Sequence, residues 1–195
     1  MNRPGRDPLE ADVALADWLA DVLTGLGHDK VHLVGLSRGG FLSLNLASRC
    51  SDRLAGVIAV DPSGFAWIGA RFILWSLVEV LRWTLPAAIL RRIAAGDPAV
   101  RHTFRRLLVA GFRYRASLPP QHLFTDDELR AIDVPTHVLL GERSNILRSH
   151  EVVTRLEQLN PRISTEVVPG AGHIPTLEVP DLVTARILDL AGKTA

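Results

Sequence analysis

With 195 residues and 47% hydrophobic content the chain is long enough for one compact domain, and at that size roughly 70% of the unfolded surface is buried on folding. Lys and Arg number 22 against 21 Asp and Glu, a formal charge of +1, so no global field favours a polyanion and the balance argues against a nucleic-acid partner. The one cysteine, Cys50, has no second thiol to pair with, and Met1 to Glu10 lack the apolar stretch of a signal peptide, which makes the cytoplasm the expected location.

In chain order, Asp12 to Leu26 carries apolar residues at Val13, Ala16, Leu19, Ala20 and Leu23, the repeat of an amphipathic helix, and Gly25 and Gly27 end it. Val31, Leu33 and Val34 form a short strand that breaks at Gly35, and a helix starts near Arg38 or Gly39 and runs to about Cys50. Leu54 to Val60 is an apolar run of the length of a strand buried on both faces, stopped by Asp61-Pro62-Ser63-Gly64. Strands resume at Thr136 to Leu140 and Ile163 to Val168, with helices at Ser149 to Leu159 and Pro180 to Leu190. Alternation of this kind predicts an α/β fold on a mostly parallel sheet.

Between Ala66 and Leu129 no convincing strand occurs. Helical patterns at Trp67 to Trp83, Ala87 to Ala94 and Pro98 to Phe112 predict an inserted helical domain, so that 1–64 and 130–195 form the core and 65–129 the insertion. Its arginines, Arg91, Arg92, Arg101, Arg105 and Arg106, recur at helical spacing and read as a solvated face. The apolar stretch from Phe65 to Leu90 is interrupted by Arg71, Glu79 and Arg82, leaving pieces far short of the roughly 18 residues of a membrane span.

The sharpest motif is Gly35-Leu36-Ser37-Arg38-Gly39, followed by Gly40. Between a predicted strand and a predicted helix, a Gly-x-Ser-x-Gly turn has the context of a nucleophile elbow, which holds a serine hydroxyl out over the end of a sheet. Neither the Lys-[Ser/Thr] ending of a phosphate loop nor the downstream acid of a dinucleotide site accompanies it. A serine hydroxyl needs a base. His173, in the loop Pro169-Gly170-Ala171-Gly172-His173 between the last strand and the last helix, has the setting for that role, whereas His28, His32, His102, His122 and His137 are accounted for by turns, strands and packing. No metal or cofactor is called for.

At this point the chain resembles a known family. Val31 to Gly40 is similar to the nucleophile segment of α/β-hydrolases, and Gly172-His173 followed by Glu178-Val179-Pro180 to their histidine loop. Pro135 to Glu142 resembles the strand that delivers the catalytic acid, and the insertion matches the family's helical cap in place and size. Within it, Phe124 to Leu129 followed by Val134-Pro135-Thr136 resembles bacterial carboxylesterase-like members. The resemblance implies hydrolysis of an ester or other acyl bond through an acyl-enzyme on Ser37, with the Arg38 amide as an oxyanion donor. The expected substrate is a small molecule with an apolar acyl group, bound by Phe65, Trp67, Phe72 and Trp75.

Two departures from the family pattern set further expectations. The segment after the acid-bearing strand usually reads Gly-x-x-Asp, and here Gly141-Glu142-Arg143-Ser144 places a serine where the carboxylate belongs. Three readings of the acid stay open: Asp61, at the end of the neighbouring strand, Glu142, or no acid at all. In addition, only about thirty residues precede Val31, so the expected fold is a truncated α/β-hydrolase without the loop that donates a second oxyanion amide. The strand at 30–34 then becomes a sheet edge, open to self-association or to a partner chain. Beside the serine esterase stand two other readings, a catalytically inactive truncated homologue and a module that binds an apolar ligand without turning it over.

Overall fold

The computed structural model describes residues 8–28, 30–67, 74, 110 and 121–194. Residue contacts divide the chain into two compact units, 1–67 with 119–195, and 68–118. Apart from Leu74 and Ala110 the second unit lies outside the described residues, and with it most of the segment read as a helical cap.

In the first unit, α1 (Pro8–Gly25) leads to β1 (Val31–Leu36), α2 (Arg38–Ala47) and β2 (Leu54–Val60). After the second unit come α3 (Asp126–Ala131), β3 (Thr136–Gly141), α4 (Ser149–Leu159), β4 (Ile163–Val168), α5 (Pro175–Glu178) and α6 (Pro180–Thr194). The strands form one sheet in the order β1-β2-β3-β4, with every neighbouring pair parallel. Parallel neighbours need a crossover between them, which fits a sequence in which helical patterns separate the strands.

The sheet divides two apolar layers by strand alternation. Val57 and Ala59 of β2 and Val138 and Leu140 of β3 join Phe41, Leu44 and Leu46 of α2, Ala16 and Leu23 of α1 and Leu156 of α4 in one cluster. Ile58, Val60 and Leu139 point the other way and meet Val168 and Val183 of α6. A strand with apolar residues on both faces therefore sits between two layers, and β2 is buried along nearly its whole length. The α2 helix is buried over most of its length, from Gly40 to Ala47 with only Leu42 partly exposed, and its two buried polar side chains, Ser43 and Asn45, are hydrogen-bonded. Full burial of side chains such as Phe41 and Leu44 stabilises the fold by about 1.5–3 kcal/mol each relative to exposure.

Among the described residues β1 is the first strand in the sheet order, so one side of it is an edge. Val31 and Leu33 pack against the larger cluster, while His32 is exposed and Val34 keeps 45% of its surface. A register shift between Val31 and His32 marks the start of its pairing with β2. The short helix α3 overlaps the end of the segment 65–129 assigned to the insertion. Its first turn closes a capping box, Thr125 accepting from the Glu128 amide and Glu128 from the Thr125 amide, and Leu129 is fully buried in the larger cluster.

Candidate active site

In a parallel sheet all strands end on the same edge, and the residues that leave those ends are thrown together. Ser37 follows β1, Asp61 follows β2, Glu142 to Ser144 follow β3, and the loop to His173 follows β4. Ligands of open α/β sheets bind at this edge. A surface cleft of about 470 Å³ lies at the opposite ends of the strands, beside Lys30, Leu54 and Pro135, and contains none of the candidate residues.

Ser37 occupies a turn between strand and helix with φ 54° and ψ −113°, a left-handed conformation that costs a residue with a side chain about 1–3 kcal/mol and persists only where its surroundings enforce it. Here they do. The Ser37 amide donates to the Val60 carbonyl at 2.9 Å, and its own carbonyl accepts from Phe41 at 3.0 Å and Ser63 at 3.1 Å. A Cβ on Gly35 would overlap the backbone of Gly39, and one on Gly40 would fall 2.9 Å from the Pro62 Cβ. These two glycines let strand and helix close on each other, whereas Gly39 has open space where its own Cβ would stand.

Three side chains are joined in a line. His173 Nε2 lies 3.1 Å from Ser37 Oγ, and His173 Nδ1 lies 2.6 Å from Asp61 Oδ2. A carboxylate only accepts, so Nδ1 carries the proton toward Asp61 and Nε2 faces the hydroxyl as an acceptor. Asp61 is wholly buried and His173 nearly so, with 10% of its side chain exposed. A buried carboxylate is costly unless its oxygens are satisfied. The Gly141 amide donates to Asp61 Oδ1 at 3.0 Å, and the Ser144 hydroxyl donates to Oδ2 at 2.7 Å. Ser144 in turn accepts from the Leu147 amide at 3.2 Å.

Of the open readings for the acid, the geometry puts Asp61 against His173 and turns Glu142 elsewhere: its carboxylate accepts from the Gly170 amide at 2.7 Å. Arg38 opens α2, where first-turn amides carry the positive end of the helix dipole. Burial draws the Arg38 guanidinium below its ordinary range, against the raising effect of the buried Asp12 carboxylate. Phe65 is partly buried, its ring 5.6 Å from that of Phe124 in the core, and Trp67 keeps 69% of its surface exposed. Phe72 and Trp75 lie outside the described residues.

Ser144, which stands where the family pattern places a carboxylate, donates to Asp61 instead, a contact its sequence position does not show. One group carries no signal that the sequence analysis used. It is a closed ring of polar groups beside α2, four side-chain contacts and one to a backbone carbonyl. The Asn45 amide donates to the Asp12 carbonyl at 2.7 Å, and the Asp12 carboxylate meets His122 Nδ1 at 2.7 Å. His122 Nε2 lies 3.0 Å from Glu128, which accepts from Arg49 at 2.7 Å, and Arg49 returns to Asn45 at 2.9 Å. The signal was the pairing of an amphipathic helix with an acid, Asp12, on its buried side.

The chain belongs to the α/β-hydrolase family, whose sequence profile matches residues 1–186. It is similar to the carboxylesterase YbfK of Bacillus subtilis strain 168, with 30% identity over an alignment of 189 positions that covers 92% of this chain and 64% of that protein. An uncharacterised carboxylesterase, nap, of the same organism is 31% identical over an alignment of 191 positions that covers 89% of this chain and 60% of that one. The crystal structure of carboxylesterase CesB (YbfK) from Bacillus subtilis superposes with a TM-score of 0.76 and 25% identity, covering 98% of this chain and 69% of that structure's chain. The chain thus spans under two thirds of the length of both carboxylesterases matched by sequence.

Proposed function

We propose that the chain is a serine hydrolase that cleaves carboxylic esters through an acyl-enzyme on Ser37, the strand-to-helix turn acting as a nucleophile elbow. The observation that carries this reading is the hydrogen-bonded line from Ser37 Oγ through His173 to the buried Asp61. The likeness to carboxylesterases supports the ester as the bond cleaved.

In this mechanism Ser37 Oγ attacks the ester carbonyl carbon while His173 Nε2 takes the hydroxyl proton. Asp61 holds the ring in the required tautomer and stabilises the imidazolium. The oxyanion of the tetrahedral intermediate accepts from the Arg38 amide, an interaction realised as charge develops. Collapse breaks the bond to the alcohol, which leaves with the proton from His173. Water, deprotonated by the same nitrogen, then attacks the acyl carbon and releases the acid, and the proton returns to Ser37. Phe65, Trp67, Phe72 and Trp75 supply apolar and aromatic surface for an uncharged acyl group of medium length.

Labelling with a fluorophosphonate, compared across wild type, Ser37→Ala and His173→Ala, tests the reading, together with turnover of an ester panel that includes naproxen esters, since a naproxen esterase of Bacillus subtilis is a similar structure with a TM-score of 0.74. Labelling of the wild type that both substitutions abolish is the expected result. Absence of serine-specific labelling refutes it.

A further inference from the structure

The loop that carries His173 is, by composition, badly suited to hold a base still. Pro169-Gly170-Ala171-Gly172 has two glycines, and Gly170 takes a φ of 70°. Glycine has the widest backbone freedom of any residue. Its surroundings remove that freedom by binding the loop backbone one peptide group after another. The Glu142 amide donates to the Val168 carbonyl at 3.1 Å, and the Glu142 carboxylate accepts from the Gly170 amide at 2.7 Å. The Arg143 guanidinium donates through Nε to the Gly170 carbonyl at 2.9 Å and through a second nitrogen to the same oxygen. The Arg143 amide donates to the Ala171 carbonyl at 2.8 Å. From the far side, the Glu178 carboxylate accepts from the Gly172 amide, next to His173 itself. There is no slack at the centre: a Cβ on Gly141 would overlap the Gly172 carbonyl oxygen.

The same short segment also grips the acid. The Gly141 amide and the Ser144 hydroxyl hold the two oxygens of Asp61. Four consecutive residues, Gly141 at the end of β3 and the three that follow it, therefore contact the acid through their outer members and the loop of the base through their inner ones. We propose that residues 141–144, with Glu178, are a positioning bracket that fixes the relative placement of Asp61 and His173, Glu142, Arg143 and Glu178 acting on His173 without touching substrate. This rests on His173 being the base of the proposed hydrolase. The contacts made by Glu142, Arg143 and Glu178 side chains are charge-assisted, the stronger kind of hydrogen bond. A displacement of reacting groups by about 1 Å costs on the order of 10²-fold in rate, which sets the scale of the effect.

The test is a comparison of ester turnover, fluorophosphonate inactivation rate and thermal melting in wild type, E142A, E142Q, R143M, E178A and E178Q. Loss of a bracket contact in E142A, R143M and E178A is expected to lower kcat and the inactivation rate by about 10- to 100-fold, with KM within about threefold, because substrate contacts are untouched. E142Q and E178Q keep an oxygen that accepts from the loop amide and are expected to recover most of the lost rate. In a D61N background the alanine substitutions are expected to cost under about threefold, since residues that act as a unit are not additive. An active wild type with E142A and E178A within about threefold of it overturns the bracket. So does a loss that follows the melting temperature and is equal in the glutamine variants. A wild type that neither labels nor turns over an ester overturns the proposed function instead, and the bracket's purpose with it.

Discussion

Replacing Asp61 by Asn is the sharpest perturbation of the proposed acid, because it exchanges one oxygen for an NH2 group and changes little of the shape. The Gly141 amide donates to Oδ1, so in Asp61→Asn the carbonyl oxygen stays there and the amide nitrogen takes the place of Oδ2. That nitrogen now faces His173 Nδ1, which lay 2.6 Å from the carboxylate. Two donors cannot share the contact, so the ring presents its Nδ1 lone pair and moves its proton to Nε2, opposite Ser37. In that tautomer His173 cannot accept the serine proton. The reversed amide puts its NH2 against the Gly141 amide and gains nothing. Loss of the charge alone forfeits about 4 kcal/mol for a separation of about 4 Å at an effective dielectric of about 20. With the tautomer added, turnover is expected to fall about 10⁴-fold, close to 5 kcal/mol. Ester hydrolysis under saturating substrate measures it, with circular dichroism and thermal melting to show an unchanged fold. Turnover within about threefold of wild type refutes the assignment, and an equal loss in Glu142→Gln with none here moves the acid to Glu142.

His122→Ala removes the side-chain partner of the wholly buried Asp12 and is expected to cost about 3 kcal/mol in urea unfolding; a loss under about 1 kcal/mol contradicts a structural role for the ring. Burial raises the Glu128 carboxyl, but hydrogen bonds from the Thr125 amide, from His122 and from the Thr125 hydroxyl outweigh it and leave it below its ordinary value. A depressed carboxyl contributes stability above its unfolded value, about 4.3, and that contribution is lost as pH falls through the folded value; melting curves from pH 7 down to 3 are expected to fall more shallowly for Glu128→Gln than for wild type. Because β1 has one side at the sheet edge among the described residues and Val34 keeps 45% of its surface, we propose self-association along 30–34 or docking of a partner chain there. Light scattering that finds a monodisperse monomer, melting cooperatively above about 60 °C, is the contrary result.

Much of the core was legible because its elements follow single periodicities. The seven-residue run of β2 reads as a strand covered on both faces, and it is buried on both faces between α2 and α6. The helices α2 and α4 begin and end within a few residues of where apolar spacing and turn residues place them. Helix α3 was less legible: six residues carry too little periodicity to separate it from the segment before it, and its capping box becomes decisive only with Leu129 seen in the core. On β1 the run Val31-His32-Leu33-Val34 is mostly apolar, yet Val31 and Leu33 pack on the larger cluster while His32 and Val34 are exposed, so the exposure of Val34 could not be read from hydrophobicity.

At the site, local chemistry was readable and long-range chemistry was not. Ser37 and His173 announce themselves because each stands in a turn whose glycines have a local reason. The acid does not, because whether Asp61 caps a turn or faces an imidazole depends on residues far away in sequence. Asp61 itself sits at φ 41°, in the left-handed region that Asp enters more readily than most residues. Its backbone is fixed there by the Leu139 carbonyl at 2.7 Å, and its carboxylate by Gly141 and Ser144, eighty or more positions on. A serine at 144 is then no mere deletion. A carboxylate at that position would stand beside the buried Asp61 and repel it, since two adjacent acids cannot both stay ionised without cost. A hydroxyl there donates to Asp61 and accepts from Leu147. The residue that departs from the family's acid position is the one whose hydroxyl donates to the buried Asp61 side chain at the end of the neighbouring strand.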